Sequence, residues 1–174
     1  MLPFLLVAAG LAGAAAAFKN PRTSLEWNAR QQVAAHAAGE VNKTDPRPYV
    51  EDALGHPSDW DRNWCGMFAL WAYHQAGLLL DVHWKTDGSG FVGGNLRPIV
   101  PSQLQAGDLI YFDQPYQHHA LVEWVNHATG MMSTINGNGA GGAVTRVVRP
   151  IADADNYYSM GHLVAPGPGL ARAA

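Results

Sequence analysis

The hydrophobic pattern of this chain changes period once, near Leu104, and that change limits what it can fold into. Before it, apolar residues recur at helical spacing; after it they alternate, with turn residues between the runs. Ser24 can cap a helix over 25–38, with Leu25, Ala29, Val33 and Ala37 as one stripe and Gly39 as its stop. Pro46, Pro48, Gly55 and Pro57 punctuate the next stretch and leave room for a short helix at 49–54. From Leu104 onward, runs at 109–112, 118–125, 131–136, 143–149 and 157–164 read as strands, separated by turns at Gln114-Pro115-Tyr116, 126–130 and the loop 137–142. Helices followed by antiparallel strands describe an α+β domain, with N-terminal helices packed on an antiparallel sheet.

Between the short helix and the strands lies Asn63-Trp64-Cys65-Gly66-Met67-Phe68-Ala69-Leu70-Trp71-Ala72-Tyr73-His74-Gln75-Ala76-Gly77. Phe68, Trp71, Ala72 and Gln75 fall at i, i+3, i+4 and i+7, and Leu70 and Tyr73 widen the apolar face, so this helix belongs in the core. Gly77 ends it. The only cysteine of the chain thus opens a buried helix, where unpaired N–H groups and the positive dipole end are expected to favour thiolate. A buried cysteine is commonly just a small hydrophobe, so a nucleophile needs a histidine base and a group to orient it.

Charged residues make up only 14% of the 174, with a net charge of -3, which excludes a disordered chain and argues against a nucleic-acid partner. One cysteine excludes an internal disulfide and a cysteine-rich zinc site. Residues 1–18 are an uninterrupted apolar and small-residue run, followed by Lys19 and Arg22. The run reads as a signal peptide with an alanine-rich end but no basic start, or as an anchor of roughly 27 Å at helical rise. Positive charges after it would hold the domain on the cytoplasmic face of an inserted anchor. The expected organisation is 1–22 as signal or membrane anchor, 23–164 as the domain and 165–174 as a flexible tail.

His118 and His119 open the strand over 118–125, whose faces separate by parity. His118, Ala120, Val122 and Trp124 form one face, small and apolar after the histidine, as a strand beneath a helix requires. His118 is therefore the expected base, and His119 stays open as a rival because a one-residue slip exchanges the faces. On the next strand Thr134, Asn136 and Asn138 are expected to share a face. Asn136 could then accept from the histidine N–H and Asn138 could donate to substrate or an oxyanion, while Asn136-Gly137 reads equally well as a turn. A metal held by His118, His119, His127 and Cys65 would lack a close ligand pair at helical spacing, and no cofactor is expected.

Taken in order, Asn63-Trp64-Cys65-Gly66-Met67-Phe68, Ala106-Gly107-Asp108-Leu109-Ile110-Tyr111-Phe112, His118-His119-Ala120-Leu121-Val122-Glu123 and Thr134-Ile135-Asn136-Gly137-Asn138 resemble the blocks of CHAP domains. These are cysteine amidases and peptidases of the NlpC/P60-like, papain-like superfamily, and the likeness spans roughly residues 25 to 164, about one domain. It implies a papain-like fold, with Cys65 as nucleophile, His118 as base, Asn136 as the orienting residue and Asn138 as a further family asparagine. Many members carry glutamate where this chain has Asn136. The substrate implied is peptidoglycan, cut at the muramoyl amide or at a peptide bond of the stem or cross-bridge. Trp64 beside the cysteine, and Trp84 in the glycine-rich passage 81–101, are the expected substrate contacts, and the loop 137–142 is expected to form the other groove wall. No recognisable wall-binding module accompanies the domain, so targeting would fall to the N-terminal segment or to a larger assembly such as a phage particle. The implied location is membrane-anchored or exported: periplasm, cell surface or virion. The alternative role is a membrane-anchored structural or virion-associated protein that keeps the fold with little or no turnover.

Overall fold

The computed structural model describes residues 21–59, 62–80, 82–84, 91–93, 96–113 and 117–160. The expected anchor, apart from its last two residues, and the expected tail lie outside them. Among the described residues no helix is long and apolar enough to cross a membrane.

Three helices precede the main sheet: α1 (Pro21–Gly39), α2 (Arg47–Leu54) and α3 (Cys65–Gln75). Pro21, with its φ already helical and no N–H to satisfy, suits the opening turn of α1, so Ser24 lies inside the helix and does not cap it. Of the expected stripe, Ala29, Val33 and Ala37 are buried, whereas Leu25 is exposed. Helix α3 closes as expected: Gly77, at φ +73°, follows it, with its N–H donating to His74 O and the Leu78 N–H to Tyr73 O.

The glycine-rich passage 81–101 contains β1 (Val82–Trp84) and β2 (Phe91–Gly93), paired as an antiparallel sheet of their own, and then β3 (Arg97–Pro98). Five further strands follow: β4 (Leu109–Phe112), β5 (His118–Asn126), β6 (Met131–Asn136), β7 (Thr145–Pro150) and β8 (Asn156–Ser159). They form a six-stranded sheet in the order β3-β8-β4-β5-β6-β7, with every pair antiparallel. The fold is α+β.

Both faces of the central strands are covered, which is why Leu109-Ile110-Tyr111-Phe112 is apolar without interruption. Leu109, Leu121 and Ile135 face the helices, packing with Val33, Ala37, Tyr49, Phe68, Ala72 and Tyr73. Ile110, Phe112, Ala120, Val122 and Met132 face the other way, against Leu104, Ile151, Ala154 and Tyr157. The helices therefore cover the His119–Leu121 face of β5, the reverse of the sequence expectation for His118. A β-bulge between Val122 and Trp124 then shifts the register and leaves Trp124 exposed.

One turn joins these layers. Asp108, wholly buried, accepts from the Arg30 guanidinium, from the Gln105 N–H at 2.8 Å and from the Met160 N–H at 3.3 Å. Arg30 also reaches Ala106 O and Ser159 Oγ, and the Tyr73 hydroxyl donates to Gly107 O at 2.9 Å, so α1, α3 and the end of β8 all dock on residues 106–108. Gly107, at φ +81°, is required there, since a Cβ would sit 2.9 Å from the Arg30 backbone. Asp108→Ala leaves the Arg30 charge buried and is expected to lower unfolding free energy in urea by about 3–5 kcal/mol. The double change Arg30→Met with Asp108→Leu is expected to recover most of that loss. A single-variant cost near zero would show that the pair does not hold the layers together.

Candidate active site

Asn63 takes φ +51°, a left-handed turn that asparagine tolerates, and this swings the chain into α3. The N-cap residue Trp64 makes no side-chain capping bond, so the first amides of α3 are left for other partners. The backbone N–H groups of His119, Gly66 and Cys65 are directed at the Cys65 sulfur. This puts the sulfur beside the His118–His119 peptide, at the start of β5. Close packing keeps α3 in that position. Gly137, just past the end of β6, lies so near the helix that a Cβ there would meet Phe68 Cβ at 2.4 Å.

His118, the first residue of β5, pairs with Phe112 across the ladder, and the two ring centroids are 6.2 Å apart. Its Nε2 lies 3.1 Å from Asn136 Oδ1. The amide orientation follows from its surroundings: Asn136 Nδ2 donates to Thr134 O and Thr134 Oγ1, both at 3.1 Å, and to Thr145 O at 3.3 Å. Two of these are carbonyls, which only accept, so Oδ1 must face the histidine and accept a hydrogen bond from Nε2–H. In the neutral ring this leaves Nδ1 as the basic atom.

The same two carbonyls explain why an amide, and not a carboxylate, suits position 136. A carboxylate oxygen in the place of Nδ2 would face Thr134 O and Thr145 O with no proton between them.

Electrostatically the site rests in its neutral form. Burial pushes the Cys65 thiol up from its ordinary value and outweighs the three amide N–H groups that pull it down. This corrects the expectation that the helix start favours thiolate, because Cys65 is only 8% exposed and its thiolate would lose more hydration than the amides return. His118 is lowered, chiefly by burial; the Asn136 hydrogen bond opposes the shift and the Arg149 charge adds to it. His119 is pushed down to about 3 by burial and secondarily by His118. Its ring packs on Tyr111 at 4.9 Å on the helix-covered face, and its backbone N–H is directed at Cys65.

Other expected contacts fall elsewhere. Trp64 is 2% exposed and stacks on Tyr49 at 5.3 Å, within a cluster that includes Phe68, so it belongs to the core. Trp84 lies on β1, and its side chain is outside the described residues. Strand β6 ends at Asn136, and Asn138 sits in the following turn at φ +54°, so it does not share the Thr134–Asn136 face by alternation. In the loop 137–142, Ala140–Gly142 form a short 3-10 turn. His127 Nε2 bonds Leu104 O at 3.0 Å, and among the described residues no three His, Cys, Asp or Glu side chains are grouped to hold a metal. Sequence reasoning missed Arg149 and Phe112 as neighbours of His118. Parity could have found the arginine, because Arg149 shares its side of β7 with Thr145 and Val147 while Val148 faces solvent.

Two measurements check this account. Alkylation of Cys65 by iodoacetamide is expected to reach its midpoint at a higher pH than an unstructured cysteine peptide run alongside; a lower midpoint would reveal a preformed thiolate–imidazolium pair. Asn136→Asp is expected to destabilise the fold by about 2 kcal/mol at neutral pH. Its carboxyl would be held protonated by the two carbonyls, with a folded pKa above the unfolded one. The loss should therefore shrink as pH falls toward about 4, where the unfolded carboxyl also protonates. Compared with known proteins, the chain matches no protein-family model, no curated protein and no solved structure.

Proposed function

We propose that this chain is a CHAP-like cysteine amidase or endopeptidase of papain-like fold that cuts an amide or peptide bond of peptidoglycan. The observation that carries the reading is the His118 Nε2 to Asn136 Oδ1 contact at 3.1 Å, one residue along β5 from the His119 N–H that is directed at the sulfur of Cys65, the residue that opens α3. A thiol nucleophile needs a base and an orienting group, and these are the two.

The resting thiol and neutral imidazole set the order of events. His118 Nδ1 takes the Cys65 proton as the sulfur attacks the scissile carbonyl, and Asn136 Oδ1 keeps its bond to Nε2–H as the ring becomes positive. Amide N–H groups at the start of α3 receive the negative oxygen of the tetrahedral intermediate. The imidazolium then gives its proton to the leaving amine, the C–N bond breaks and a thioester remains on Cys65. Water attacks the thioester while His118 takes its proton, the C–S bond breaks to release the acid product, and His118 returns that proton to the sulfur to regenerate the thiol. The N-terminal segment, or a larger particle, would deliver the domain to the wall of a cell from a membrane-anchored or exported position.

The raised Cys65 thiol favours a second role, a membrane- or virion-associated protein that keeps the fold without turnover. Digestion of purified peptidoglycan, read by mass spectrometry of the muropeptides, separates the two. New amine and carboxyl ends are expected with the native chain and none with Cys65→Ala, whereas His118→Ala is expected to lose about 10²–10⁴-fold in kcat/KM. Because burial lowers His118, its basic form survives into weakly acid solution, and the acid limb of kcat/KM should fall below that of an ordinary imidazole. Products from Cys65→Ala, at an unchanged melting temperature, would end this reading.

A further inference from the structure

Arg149 places a positive charge close enough to His118 to lower its basicity. It stands on β7 opposite Met132, half-buried, with its Cζ 4.6 Å from the centroid of the Phe112 ring. That ring is 6.2 Å from the ring of His118, so guanidinium and imidazole flank one aromatic surface. Among the described residues, Arg149 Nε is the one buried side-chain nitrogen or oxygen without a hydrogen-bond partner. Asp153, on the turn after β7, is exposed and attracts the arginine only from a distance.

Three other arginines behave differently. Arg30 is bonded to Asp108, Arg47 to Asp45 and Arg146 to Glu123. Arg149 is instead held by its stacking on Phe112, which fixes the position of the charge without consuming its donors. A half-buried guanidinium, already stripped of part of its water and aimed beside a base, is matched by a planar anion with two oxygens.

We infer that Arg149, with Phe112 beneath it and His118 beside it, is a carboxylate subsite that takes an acidic group of the ligand attacked at Cys65. The identity of that ligand as an acidic peptide rests on the proposed function; the binding of a carboxylate does not. An anion there would cancel the positive charge that now opposes protonation of His118, so ligand binding and the proton transfer from Cys65 would support each other.

The first test needs no turnover and no variant. The ¹⁵N-labelled full chain is titrated with N-acetylglycine, and with N-acetylglycinamide as the neutral control, while the Arg149 Nε–H resonance is followed. It is expected to shift and saturate with the carboxylate only; an equal response to both, or to neither, overturns the subsite. In the second test Cys65 is alkylated by iodoacetate and by iodoacetamide, and the ratio of the two rates is expected to fall roughly tenfold in Arg149→Gln. An unchanged ratio, at an unchanged melting temperature, also overturns it. Should that variant fail to fold, excess N-acetylglycine added to the native chain must slow iodoacetate and spare iodoacetamide, and failure to do so counts against the subsite. A chain that binds the carboxylate yet leaves peptidoglycan intact keeps the subsite and loses the proposed function; one that digests peptidoglycan but ignores the carboxylate does the reverse.

Discussion

The ion pair between Arg30 and Asp108 is the interaction on which the arrangement of layers depends. Both side chains are almost fully withdrawn from water, at 3% and 0% exposure, so neither charge is tolerable without the other. Their partners come from distant parts of the chain: α1 supplies the guanidinium, the turn before β4 the carboxylate, and the end of β8 two further contacts through Ser159 and Met160. Hydrophobic contact alone would let α1 slide over the apolar face of the sheet. A buried charge pair has one register in which every donor is met, and so selects a single docking of helix on sheet. Tyr73, donating to the carbonyl of Gly107 in the same turn, extends that selection to α3 and hence to the helix that carries Cys65.

With the layers fixed, the site forms at their seam, where a helix begins and a strand begins. Cys65 is the first residue of α3 and His118 the first of β5, and the contact between the two elements runs through the backbone N–H of His119. The close approach that secures this geometry has an electrostatic cost. Burial drives both groups toward their neutral forms, the thiol up and the imidazole down, and the nearby Arg149 charge deepens the second shift. A site of this kind holds its geometry in advance and its charges in reserve. Charge separation becomes favourable when a ligand brings opposite charge or excludes the remaining water, which links chemistry to occupancy.

Helical stripes and strand runs were legible because each rests on local periodicity. Ala29, Val33 and Ala37 mark α1, and Leu109 to Phe112 mark β4, at the expected places. The side of the sheet that the helices cover was not legible, because residues of both parities on β4 and β5 are apolar when both faces are buried. The bulge at Val122–Trp124 also left no mark, since no glycine or proline announces it in that run. The Cys65 thiol departs from expectation for a related reason. The helix dipole is visible in sequence, whereas the desolvation that overrides it comes from residues far away in the chain. The aromatic beside the cysteine, Trp64, looked like a ligand contact but completes a cluster with Tyr49 and Phe68, residues that periodicity assigned separately.

Asn136 joins the two halves of this account, because its amide belongs to the sheet and to the site together. Its nitrogen is spent on Thr134 and Thr145, at the end of the β6–β7 ladder, and its oxygen on His118. The pairing of β6 with β7 therefore dictates which way the amide points, and the amide dictates which nitrogen of the imidazole carries the proton. A glutamate or aspartate would stabilise the imidazolium more strongly, but only where the strand presents donors in place of these carbonyls. The amide at position 136 is thus set by hairpin geometry, and in the proposed mechanism its weaker support would leave a positive ring in need of a negative neighbour. Arg149, over the Phe112 ring that neighbours His118, is where the proposed carboxylate subsite would supply it.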